Sequence, residues 1–155
     1  MAVKQIDLTQ YEYQDELERL RHEYQFDFAG IALPIDDHAC TKIKWRYVSG
    51  NLNERYQRII LRHGRGVAGN VMKTGKPMII ADATQDEIQN TLFNFPIIIS
   101  EELTSLIAIP LWHSHRVKGV LLFGQRHHKK LPKIAENISN IKGIGNFTSE
   151  DKVML

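Results

Sequence analysis

At 155 residues, with 43% hydrophobic and 25% charged residues, the chain has the composition of one soluble globular domain and is too short to give two domains a core each. Twenty Lys and Arg against eighteen Asp and Glu leave a net charge of +2, too balanced to predict a nucleic-acid partner. A single cysteine, Cys40, excludes an intramolecular disulfide framework and any zinc site built from several thiolates.

No apolar run is long enough to span a bilayer. The first residues, Met1 to Asp7, lack the apolar stretch of a signal peptide. The expectation is a cytoplasmic protein with no membrane segment.

In chain order, Thr9-Gln10-Tyr11-Glu12 has the form of a capping box that starts a helix. Tyr13, Leu17, Leu20 and Tyr24 then form one apolar stripe, suited to covering a sheet or to pairing with a second copy. Phe26 to Leu33 reads as a strand ended by Pro34 and the Asp36-Asp37 turn. Lys42 to Val48 alternates, with Ile43, Trp45 and Tyr47 expected on one face and Trp45 pointing inward. Asn53 to Arg58 is a polar connection, and Ile59-Ile60-Leu61 a short apolar run.

A glycine-rich turn follows, Gly64-Arg65-Gly66, leading into a predicted helix over 67–74 that Gly75 closes. Pro77 to Ala81 suits an edge strand. Ala83 to Asn90 reads as a second short helix, and Thr91 to Pro96 as a loop rich in Phe. Leu106 to Trp112 is apolar on both faces and fits a doubly covered strand, with Val117 to Gln125 as its hairpin partner. Further on, Ile134, Ile138 and Ile141 have helical spacing, and Phe147 to Asp151 reads as another helix start.

The glycine turn carries the first chemical signal. A helix beginning directly after it leaves the amides of Val67, Ala68 and Gly69 free at the positive end of the helix dipole, a ready anion site. The competing reading is that these glycines only make a tight turn. Trp45 offers an indole N–H donor and no acceptor, which suits an anion against an apolar wall. Equally, it fits a core Trp bonded to a backbone carbonyl. His127-His128 beside Lys129-Lys130 reads as a solvated basic turn, and His113 and His115 flank a hairpin tip, so no metal site is expected. No His or Asp partner is placeable beside Cys40, so no catalytic residue is expected.

Three patterns in this order resemble GAF domains: Gly64-Arg65-Gly66-Val67-Ala68-Gly69 with Gly75-Lys76-Pro77, Ser105 to Leu111, and Gly119-Val120-Leu121-Leu122-Phe123. The resemblance runs from about Leu17 to Glu150, within one domain spanning 1–155. It implies an α+β fold with a central five- or six-stranded antiparallel sheet. Terminal helices lie on one face, and ligand-binding loops and short helices on the other.

Within that family the chain is similar to small stand-alone nitrate receptors that accompany a sensor histidine kinase, with Trp45, Val67, Ala68 and Ile97 at matching places. The resemblance implies nitrate bound by those four residues. Gly66, Gly69, Phe95 and Pro96 line the pocket, and no cofactor takes part. It further implies a kinase partner whose autophosphorylation the protein modulates, and a homodimer through the N-terminal helix is a further expectation. Neutral donors suit a weakly hydrated monoanion better than phosphate or sulfate, which recruit several cations. A four-atom ligand at about 1.5 kcal/mol per atom gains roughly 6 kcal/mol, which sets Kd no tighter than roughly tens of micromolar. The alternatives are a GAF sensor for a nucleotide or amino acid, a free methionine sulfoxide reductase-like enzyme, and a purely structural dimer module.

Overall fold

The computed structural model describes residues 10–35, 42–113 and 115–133. Helix α1 spans Gln10–Glu23. Its stripe is seated on the sheet: Leu17 is fully buried, with Tyr13, Leu20 and Tyr24 half-buried around it. Tyr13 stacks on Tyr47 at 5.4 Å between ring centroids. The opposite face carries the exposed pairs of Arg19 with Glu16 and Glu23, as expected of an amphipathic surface helix. Thr9, the first residue of the capping box, lies outside the described residues.

The remaining elements are β1 (Phe28–Pro34), β2 (Ile43–Ser49), β3 (Ile60–Leu61), α2 (Gly66–Thr74), β4 (Met78–Ile80), α3 (Asp86–Gln89), α4 (Pro96–Glu101), β5 (Ser105–His113) and β6 (Arg116–Gln125). The six strands form one antiparallel sheet in the order β3-β2-β1-β6-β5-β4. Short β3 and β4 are its edges, in keeping with the proline before β4. One face packs under α1 with Ile31, Leu33, Ile107, Leu121 and Phe123. The other packs under α2 and α4 with Phe28, Ala32, Ile43, Trp45 and Leu122. The helical spacing after Leu131 and the start at Phe147 lie outside the described residues. Among the described residues no helix is long and apolar enough to cross a membrane.

Two sequence expectations are corrected. Ile43, Trp45 and Tyr47 do not share a face. Ile31 pairs with Tyr47 and Ala32 with Trp45, so Arg46 is an extra residue that bulges the strand. Ile43 and Trp45 therefore enter the core beneath α2, while Tyr47 enters the one beneath α1. Arg46 is exposed, its guanidinium 6.0 Å from the Tyr47 ring centroid.

The second correction concerns residues 83–101. Helix α3 is only Asp86–Gln89, and the expected Phe-rich loop holds a 3-10 turn at Leu92–Asn94 followed by α4. Proline at the first position of α4 is pre-set for a helix start. Three successive isoleucines are poor helix formers, and burial of Ile97 and Ile98 overrides that preference.

The turn before α2 needs its glycines. Gly66 has φ +67°, and a Cβ there would sit 2.8 Å from Leu61 Cδ2. At Gly69 a Cβ would lie 2.2 Å from the Arg62 carbonyl oxygen, a contact that no side chain makes. The tight-turn reading thus holds, and it is compatible with a ligand-binding role. Gly75 closes α2 at φ 70°, its N–H bonded to the Val71 carbonyl at 2.8 Å.

Candidate functional site

Helix α2 starts without a cap. Its N-cap residue, the exposed Arg65, is extended, and its side chain makes no capping bond. With Gly66 at the first helical position, the amides of Gly66, Val67 and Ala68 have no intrahelical acceptor. Gly69 is placed to bond the Arg65 carbonyl, so the free set expected at 67–69 moves back by one residue. Val67 and Ala68 are both buried.

Helix α4 also starts uncapped, with Phe95 at its N-cap making no side-chain bond. Pro96 has no N–H, and the Ile98 N–H is bonded to the Phe95 carbonyl at 3.0 Å. The Ile97 amide is thus the donor left over in this first turn.

Trp45 supplies the third component. Its ring is 1% exposed, and its Nε1–H has no hydrogen-bond partner among the described residues. That removes the reading of a core Trp bonded to a backbone carbonyl. A buried donor left unpaired costs about 1–3 kcal/mol, so this N–H is set for an acceptor that the described residues do not provide.

The structure brings Trp45, Val67, Ala68 and Ile97 into one buried cluster, with Phe95 packed against it. Pro96 is half-buried, and Gly66 and Gly69 are buried. The Arg126 guanidinium lies 5.9 Å from the ring centroid of Phe28, a member of this cluster, and is paired with Glu101. Trp45, Val67, Ala68 and Ile97 contribute N–H groups and the dipole of α2, a wall suited to a small, weakly hydrated anion.

The sequence reading missed what holds α4 in place. Ser100 lies one turn beyond Ile97 on the same face, and its buried Oγ has no partner among the described residues. The signal was the i, i+3 spacing, invisible while 91–96 read as a loop. Glu101 is fully buried. Its Oε1 accepts the Leu52 N–H at 2.8 Å and the Arg126 Nη2–H at 2.6 Å. Arg126 Nε–H also donates to the Glu101 carbonyl at 2.7 Å, and Asn53 Nδ2–H donates to the Ser100 carbonyl at 2.8 Å. Burial pushes the Glu101 carboxyl up, against the opposing pull of the Leu52 amide and Arg126.

Asp27 fixes the same corner, accepting the Arg126 backbone N–H at 2.8 Å and Lys129 Nζ–H at 2.7 Å. Burial raises its carboxyl, and the bonds from Lys129 and Arg126 outweigh that, so it titrates below the usual carboxylate range.

The histidines at 115, 127 and 128 are exposed and His113 is half-buried. Among the described residues no group of three or more His, Cys, Asp or Glu is arranged to hold a metal ion. Cys40 lies outside the described residues. An open surface pocket along β4, lined by Ile79, Asp82, Thr104 and Lys129, shares no residue with the Trp45 cluster.

The sequence matches the GAF domain family over residues 12–138. The chain belongs to the GAF family. A hypothetical protein from S. aureus has a solved structure similar to this GAF domain at 49% identity and TM-score 0.75, covering 79% of this chain and 98% of that one. NreA from Staphylococcus aureus, solved in a form mutated in its nitrate binding site, is similar at 46% identity and TM-score 0.78, covering 84% and 98%. A type II free methionine-R-sulfoxide reductase from Thermoplasma acidophilum shares 16% identity at TM-score 0.63, covering 88% and 86%, which shows the fold alone. No curated protein matches the sequence. In this GAF domain the candidate site thus lies on the face of the sheet opposite α1.

Proposed function

We propose that this GAF domain is a cytoplasmic nitrate receptor and not an enzyme, and that it modulates the autophosphorylation of a sensor histidine kinase. The observation that carries the reading is the buried, unpaired Trp45 Nε1–H in the same cluster as the uncapped start of α2. Nitrate accepts from the indole and from the amides of Val67, Ala68 and Ile97. The identity to NreA, a protein with a nitrate binding site, supports the choice of anion. The burial of Trp45, Val67, Ala68 and Ile97 speaks against a nucleotide, which needs far more room.

The unliganded domain holds kinase autophosphorylation down, and nitrate relieves it. That switch requires different kinase affinities for the two forms, since a ligand without preference shifts no equilibrium. A homodimer through α1 would use its charged outer face, because the apolar stripe is already seated on the sheet.

Isothermal calorimetry with nitrate tests the site. Saturable binding no tighter than roughly tens of micromolar is expected from the size of the ligand. Trp45→Phe keeps the ring and removes one N–H, and is expected to weaken binding by about 1–2 kcal/mol, a factor of roughly 5–30. No heat from millimolar nitrate, together with saturable heat from a nucleotide or amino acid, would overturn the nitrate reading.

A further inference from the structure

We propose that one end of the sheet, where the β5–β6 hairpin tip meets the C-terminus of α2 and the Gly64 turn, is a docking surface for an acidic protein partner. Six cations there are exposed: Lys42, Arg62, Arg65, Lys73, Lys76 and Arg116. None of them is ion-paired among the described residues. Arg19, Arg126 and Lys129 do have carboxylate partners, whereas residues 55–81 and 103–133, which supply five of the six, contain no Asp or Glu.

Packing brings these cations to one end. Lys42 precedes β2, whose Ile43 pairs with Leu61, the residue before Arg62. A Cβ on Gly64 would lie 3.3 Å from Lys73 Cδ. One on Gly75 would lie 3.4 Å from Trp112 Cη2 and 3.8 Å from Val117, the neighbour of Arg116.

An apolar anchor stands among them. Trp112 is 37% exposed, and Trp and Arg are among the residues enriched where protein partners bind tightly. A whole-chain charge of only +2 gives little attraction for a nucleic-acid backbone, whereas a local cluster around an aromatic fits a protein surface with carboxylates ringing an apolar side chain. The surface also touches the ligand site: Arg65 is the N-cap of α2, and Lys73 lies in its last turn. An anion on the first turn of α2 changes the charge of the helix that the partner contacts.

Identifying that partner with the sensor kinase rests on the receptor reading above, so the test separates the two. The full chain and a Lys76→Glu/Arg116→Glu variant are titrated with intact kinase at low and high salt, and with nitrate by calorimetry. Kinase affinity is expected to fall about tenfold or more with salt and in the variant, while nitrate affinity stays unchanged. Kinase binding that ignores both salt and the double substitution overturns the surface and leaves the receptor reading standing. Should the kinase not bind, a ten-residue oligoglutamate peptide decides, read by Trp112 fluorescence in a Trp45→Phe background. A salt-sensitive response supports the surface and no response overturns it. Duplex DNA bound more tightly than the peptide also overturns it.

Discussion

Ala68→Asp is expected to abolish nitrate binding while leaving the domain folded. Ala68 is fully buried in the first turn of α2, among the amides that have no acceptor of their own. A carboxylate at this position of a helix is stabilised by the dipole and by the free N–H groups, worth about 0.3–1 kcal/mol at an ordinary exposed start. Here it does more, because it is itself a planar anion placed where nitrate would sit. It satisfies the donors from within the chain and repels a second negative charge. Two unit charges about 4 Å apart repel by about 4 kcal/mol at an effective dielectric of 20, close to a thousandfold in affinity. Calorimetry should therefore show no saturable nitrate heat, with an unchanged far-ultraviolet spectrum and a cooperative melt. Nitrate binding at wild-type affinity in a folded Ala68→Asp protein would remove α2 from the site.

The two halves of that site were unequally legible in the sequence. Gly66 and Gly75 announce their turns because only glycine readily takes the left-handed backbone they adopt, at φ +67° and 70°. The helix between them was therefore readable, as were the apolar strand at 106–112 and the inward Trp45. The face of Tyr47 was not, because a bulge at Arg46 depends on pairing with β1 and leaves no trace in the alternation. Helix α4 was hidden for another reason. Its isoleucines favour strands, and its position is set by Leu52, Asn53 and Arg126, each at least 25 residues away along the chain. Local pattern cannot report an element held by distant hydrogen bonds. The absence of any acceptor for Trp45 Nε1 among the described residues is likewise a tertiary fact. Sequence offered the donor and left its partner open.

Those distant bonds make the Glu101–Arg126 pair the second large effect. The two side chains are 0% and 9% exposed and 2.6 Å apart. Removing one partner of such a pair leaves a buried charge uncompensated, a loss of about 3–5 kcal/mol. Glu101→Ala is expected to fall in that range, since it strands the Arg126 guanidinium and also the Leu52 N–H. Glu101→Gln should lose less, because an amide oxygen still accepts from both. Arg126→Met makes the opposite error, leaving the carboxylate buried without its cation. Burial already pushes the Glu101 carboxyl up, and loss of the Arg126 guanidinium pushes it further. A carboxyl whose folded pKa lies above its unfolded one gives stability that is present at acid pH and lost as pH rises through the folded value. The deficit of Arg126→Met relative to wild type should therefore widen as pH rises from about 4 toward neutrality. Urea midpoints measured across that interval check it. A Glu101→Ala protein within about 1 kcal/mol of wild type at neutral pH, or an Arg126→Met deficit that narrows with rising pH, would show that α4 is not held by this pair. Because α4 presents the Ile97 amide at its other end, the same substitutions should weaken nitrate binding in protein that is still folded, and Glu101→Gln should restore part of it.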